Sequence, residues 1–121
     1  MNRRELIREY KQRPRQIGIF QVRNTANGKI LVGASTDLPA ILNRHRAQLR
    51  LGAHPNRALR EDAKAFGFGA FAFEVLDTLT LPDDPAYDPA ADLRTLEGMW
   101  LEKLSPFGER GYNGRAPSTG G

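Results

Sequence analysis

Apolar and polar positions along the chain fall into short blocks with different periods. The clearest block runs from Ile17 to Ser35. Its two arms, Ile17-Gly18-Ile19-Phe20-Gln21-Val22-Arg23 and Lys29-Ile30-Leu31-Val32-Gly33-Ala34, are rich in β-branched and apolar residues. Asn24-Thr25-Ala26-Asn27-Gly28 separates them, and Asn-Gly is a strong turn signal because both residues tolerate positive φ. The block therefore predicts a β-hairpin. Neither arm alternates strictly with polar residues, which predicts strands covered on both faces by helices. Gly18 and Gly33 fall inside the strands, where glycine weakens a sheet unless something packs close to the backbone. A bulge or tight packing explains one such glycine. Two in paired strands point to close approach by a ligand or a catalytic side chain.

The remaining blocks have helical period or a second strand pattern. Residues 2–12 predict a helix with Leu6, Ile7 and Tyr10 on one face, stopped by Pro14. After the hairpin, Ser35-Thr36-Asp37 offers capping oxygens and Pro39 suits a first turn, so a helix is expected from about residue 37 to Leu51, with Gly52 at its end. Leu38, Leu42, His45 and Leu49 share one stripe, and Ile41, Arg44, Gln48 and Leu51 share the next. Pro55-Asn56 opens a second helix to Phe66, with Leu59, Ala63 and Phe66 inward and Gly67 ending it. His54 falls in the connection between these helices. Phe71 to Leu79 predicts a third strand, with Phe71, Phe73, Val75, Leu79 and an interrupting Asp77 on one face. Ala72, Glu74, Leu76 and Thr78 then line the other. Residues 80–90 are a Pro- and Asp-rich loop. A last helix from Pro89 to Leu104 buries Leu93, Leu96, Trp100, Leu101 and Leu104. The pattern predicts one α+β domain.

Composition narrows the class. The chain has 121 residues, 40% hydrophobic, with no cysteine, so disulfides and cysteine-based metal sites are excluded. No run of about 18 apolar residues occurs, and no apolar segment follows the charged N-terminus. A cytoplasmic protein with no membrane segment is the expectation. The net charge of +4 conceals an asymmetry: residues 1–64 carry 14 Lys/Arg against 5 Asp/Glu, and residues 65–121 carry 4 against 9. Fourteen of the basic residues are arginine, whose planar fork suits phosphate. The basic half points to a polyanion such as nucleic acid or to a solvated basic surface.

Three residues carry candidate chemistry. Glu97 lies within the apolar stripe of the last helix, one turn from both Leu93 and Leu101. A buried, unpartnered carboxylate is costly, so Glu97 calls for an internal arginine, a hydrogen-bond network or a metal. His45 and His54 read first as a boundary and a loop histidine, and each is also a candidate acid or base. A zinc site of His45, His54 and Glu97 has no recognised ligand spacing.

The order of these features resembles the GIY-YIG nuclease domain. Gly18-Ile19-Phe20 stands at the first motif and Leu31-Val32-Gly33 at the second. The turn Asn24…Asn27-Gly28-Lys29, the helix pair Arg44-His45…His54-Pro55-Asn56, the strand Phe71-Ala72-Phe73-Glu74-Val75-Leu76, Glu97-Gly98-Met99-Trp100 and Gly111-Tyr112-Asn113 follow in order. The resemblance spans about residues 16–113. It implies a small three-stranded antiparallel sheet flanked by helices. The nuclease-like domain is thus expected at 16–113, with the N-terminal helical extension at 1–15 and the Gly-, Pro- and Ser-containing residues 114–121 as a disordered tail.

The resemblance further implies phosphodiester hydrolysis with one Mg²⁺ or Mn²⁺ held by Glu97, and Asn113 closing the site. It also exposes departures. Phe20 and Leu31 stand where the family has tyrosines, and Ile41 stands where it has a helix arginine. Phe20 has no hydroxyl. A general base is worth about 10²–10⁴ in rate and a phosphate donor about 10²–10³, so uncompensated loss would leave little hydrolysis. A rebuilt site is expected, with Arg44, one turn from Ile41, and His45 or His54 in the vacated roles. Arg23, Lys29, Arg46, Arg50 and Arg57 are expected to contact nucleic acid, DNA foremost, and a protein partner for targeting is compatible with the sequence. The competing reading is a nuclease fold that binds nucleic acid without cutting it.

Overall fold

In the computed structural model, residues 16–114 are described. The expected helix over residues 2–12, its extension to 15, and residues 115–121 of the expected tail lie outside them. Strands β1 (Gly18–Asn24) and β2 (Ile30–Ser35) form the predicted hairpin. Gly28 turns it at φ +80, where its N–H donates to the Asn24 carbonyl at 2.8 Å, and Asn27 Oδ1 accepts from Lys29 N–H at 2.9 Å. Helices α1 (Leu38–Arg50) and α2 (Arg57–Phe66) follow, then a 3₁₀ turn (Phe68–Ala70), β3 (Phe71–Thr78) and helix α3 (Ala90–Leu104). The sheet is antiparallel in the order β2-β1-β3.

The helix ends follow from their sequence. Asp37 Oδ1 accepts from Ala40 N–H at 3.2 Å and caps α1, and Asn56 Oδ1 accepts from Leu59 N–H at 3.0 Å and caps α2. Gly52 and Gly67 take positive φ where those helices end.

Each sheet face carries its own core. Alternation along β1 sends Phe20, Val22 and Asn24 to the side of α1 and α2, and Ile19, Gln21 and Arg23 to the side of α3. On the first side Val22, Leu49, Leu59, Ala63, Phe71 and Tyr112 are buried together. On the second, Ile17, Ile19, Val32 and Leu93 are buried, with Leu96, Trp100, Leu101 and Leu104 packed on them. Both faces are covered, as the apolar arms required.

The third strand departs from simple alternation. Ile19 pairs with Asp77 but Phe20 pairs with Val75, so Leu76 is an extra residue in a β-bulge. Beyond the bulge the alternation is reset. Leu79 packs with the α3 cluster and not beside Phe71 and Phe73, and Asp77 accepts from Trp100 Nε1 on α3 at 3.0 Å. Asp77 therefore does not interrupt the face that the sequence pattern assigned to it.

The two strand glycines serve this packing. A Cβ on Gly18 would collide with the Asp77 carbonyl at the bulge. A Cβ on Gly33 would stand 2.7 Å from Phe20 Cζ. Close packing within the fold explains both positions, and the side chain that approaches Gly33 is the ring of Phe20.

After α3 the chain returns to the sheet. Gly111 bridges to Ile30, Tyr112 N–H donates to the Ile30 carbonyl at 2.8 Å, and the Asn113 side chain holds both main-chain groups of Val32. This stretch, expected to be irregular, satisfies the outer edge of β2 in the manner of a short strand.

Candidate active site

The α1 side of the hairpin assembles the first group of residues. Phe20 is buried under His45, with ring centroids 5.1 Å apart. His45 Nδ1 lies 2.7 Å from His54 Nε2. His54 Nδ1 is 3.0 Å from the backbone N–H of Asn56. His54 is 2% exposed, so this histidine of the interhelical connection is a core residue. Its carbonyl accepts from Arg60 Nη1 at 2.8 Å.

These contacts fix the protons. A backbone N–H only donates, so His54 Nδ1 holds a lone pair. Neutral His54 then carries its proton on Nε2 and donates it to His45 Nδ1, which leaves the His45 proton on Nε2. Both titrations shift in keeping with this arrangement. Burial, then the neighbouring His45 and Arg60, pushes His54 down to about 4. Burial, then the Arg44 charge, lowers His45 as well. Neither ring nitrogen of His54 is free to act as a base. His45 presents a neutral N–H donor.

The remaining candidates make no side-chain hydrogen bond to this pair. Ile41 and Leu31 are half-buried, Leu31 against the Val22 cluster. Arg44 is exposed on α1 and makes no hydrogen bond or ion pair with any described residue. Asn113 is occupied: its Oδ1 accepts from Val32 N–H at 2.8 Å and its Nδ2 donates to the Val32 carbonyl at 2.7 Å. The side chain pins the strand edge, and beyond these two bonds it keeps one lone pair on Oδ1 and one N–H on Nδ2.

Glu97 lies on α3, which packs across β1 and β2. It is half-buried within the apolar arc, and it has no hydrogen-bond or ion-pair partner among the described residues. The internal arginine that its position called for is therefore not found among them. No group of three His, Cys, Asp or Glu among the described residues can hold a metal, which removes the zinc site of His45, His54 and Glu97. One free carboxylate fits a hard cation that completes its shell with water and phosphate oxygens, the habit of Mg²⁺.

The cationic candidates divide by face. Arg23 belongs to the α3 side and is held by Glu74, with Nε–Oε1 at 2.8 Å and Nη2–Oε2 at 3.2 Å. Lys29 sits 5.9 Å above the Tyr112 ring. Arg46 and Arg50 lie 4.8 Å over Phe73 and Phe68 respectively. Arg57 pairs with Glu61 on the exposed face of α2. Sequence reading missed Arg60 and the Asn56 N–H, which set the state of His54. Their only sequence signal was the Pro55-Asn56 helix start.

No protein-family model matches the chain, and no curated protein matches it. Solved structures do. The catalytic domain of homing endonuclease I-TevI is 26% identical, with a TM-score of 0.63, over 81% of this chain and 97% of that one. A mutant of the catalytic domain of intron endonuclease I-TevI is 23% identical, with a TM-score of 0.64, over 81% of this chain and 92% of that one. The fold is thus a nuclease-type fold. It is the fold of the GIY-YIG nuclease domain in divergent form, with motifs reading Gly18-Ile19-Phe20 and Leu31-Val32-Gly33.

Proposed function

We propose that this chain is a divalent-cation-dependent endonuclease that hydrolyses phosphodiester bonds in DNA through a site rebuilt around Glu97. The observation that carries the reading is Glu97 itself. It is a half-buried carboxylate inside an apolar arc, with no partner among the described residues, on a fold similar to that of an endonuclease catalytic domain.

In this reading Glu97 holds Mg²⁺ or Mn²⁺, which when bound polarises the scissile phosphate and acidifies a water. His45 donates its Nε2 proton in a hydrogen bond to a phosphate oxygen. His54 fixes that tautomer and the ring's orientation. Arg44, exposed and without a partner among the described residues, supplies the positive charge that Ile41 lacks. Phe20 contributes an apolar wall where a hydroxyl could have taken the proton of the attacking water, so that proton passes to bulk solvent and turnover is slow.

The test is cleavage of labelled single-stranded, duplex and branched DNA with Mg²⁺, Mn²⁺ or EDTA. Wild type is expected to cut only with metal. Glu97→Gln abolishes cutting, and Arg44→Ala reduces it by about tenfold or more. Wild-type protein that binds DNA in every condition and never cuts would overturn the reading and leave a nucleic-acid-binding module.

A further inference from the structure

A groove of about 780 Å³ opens between the end of α1, α2 and the 3₁₀ turn. Its floor is apolar, formed by Leu49, Ala63 and Phe68, the first two buried. Its rim carries Arg50, Arg57, Arg60 and Lys64, with Glu61 as its one acid. Arg50 lies over Phe68, its guanidinium carbon 4.8 Å from the ring centroid. Arg60 reaches from this rim to the His54 carbonyl, so groove and histidines share the α1–α2 connection.

We propose that this groove is a nucleotide subsite that takes one unpaired base of a nucleic-acid strand. The base stacks on the Arg50–Phe68 pair, and flanking phosphates meet Arg57 and Lys64. The inference rests on the nucleic-acid reading above and names where the strand lies. A stacking platform within a cationic rim is the arrangement by which single strands are held irrespective of sequence. An acidic peptide would match the charge and leave the platform unused.

The experiment is fluorescence anisotropy with the full chain in EDTA, so that cutting does not enter. It compares a short single strand with a sugar-phosphate spacer strand of equal length that lacks bases. Wild type is expected to bind the base-bearing strand at least about fivefold tighter, the lower range for one stacked base. Arg50→Gln and Phe68→Leu, which keep most of the apolar volume, bring that ratio close to one, with folding checked by thermal melting. Glu61→Gln tightens both strands, since it removes a like charge and frees Arg57. Equal binding of the two strands by wild type, an unchanged ratio in both variants, or equally effective displacement by a polyglutamate peptide would overturn the subsite. A chain that cuts without base preference loses this inference alone. A chain that shows the preference and never cuts loses only the nuclease reading.

Discussion

At the scale of single residues, His54 couples the candidate site to the stability of the fold. Its Nδ1 accepts from a backbone N–H and its side chain is buried, so the folded protein resists the proton that the unfolded chain takes up near pH 6.5. With the folded value at about 4, the unfolded state binds more protons between those limits. Stability is then full above about pH 6.5 and falls as the pH drops toward 4, by up to about 3 kcal/mol from this group. His45, also lowered, adds in the same direction. Denaturant unfolding at stepped pH is expected to show this slope, and His54→Gln should flatten most of it. An unchanged slope in the variant would assign the acid sensitivity to other groups. The same arrangement revises a sequence-based expectation. His45 and His54 were both candidates for a base, and hydrogen bonding leaves only a donor, at His45.

At the scale of elements, the hairpin, its Asn-Gly turn, the capped helices and the two-sided core are legible in local chemistry, because each depends on residues within a few positions of one another. The bulge at Leu76 is not, since it arises from how β3 registers against Ile19 and Phe20, more than 50 positions away. The burial of His54 and the occupation of Asn113 are likewise products of long-range contacts. So is the return segment that pins β2 and closes the α1 side of the core. Tyr112 in that segment accepts from Asn24 Nδ2 at 3.1 Å and donates to Asp62 Oδ2 at 2.7 Å. Burial, then Asp62, raises its hydroxyl to about 12. Tyr112→Phe leaves the fully buried Asn24 amide without its partner and is expected to cost about 1–3 kcal/mol. Tyr87→Phe, which removes an exposed contact to Asp92, is expected to stay within about 0.5 kcal/mol. Denaturant unfolding of the two variants separates a structural tyrosine from an incidental one, and equal costs would refute the assignment.

At the scale of the whole molecule, the charge asymmetry along the sequence becomes an asymmetry of faces. Arg44, Arg46, Arg50, Arg60 and Lys64 all belong to the two helices on one side of the sheet. Arg23, by contrast, is on the α3 side and is neutralised by a bidentate contact with Glu74. Counting basic residues along the sequence treats these as equal, and the fold does not. A single strand that contacts Z phosphates loses affinity with salt at a slope of about −0.7Z. Lys64→Gln is therefore expected to reduce the magnitude of that slope by about 0.7 and to weaken binding uniformly across strands of different sequence. Arg23→Gln is expected to leave both affinity and slope unchanged, because it lies on the opposite face of the sheet from the groove and both ends of its guanidinium are held by Glu74. Titrations of a single strand in EDTA across a range of KCl concentrations read both quantities. If Arg23→Gln lowers the slope as much as Lys64→Gln does, the strand also contacts the Arg23–Glu74 pair, and the polyanion surface is not confined to α1, α2 and the Glu97 site.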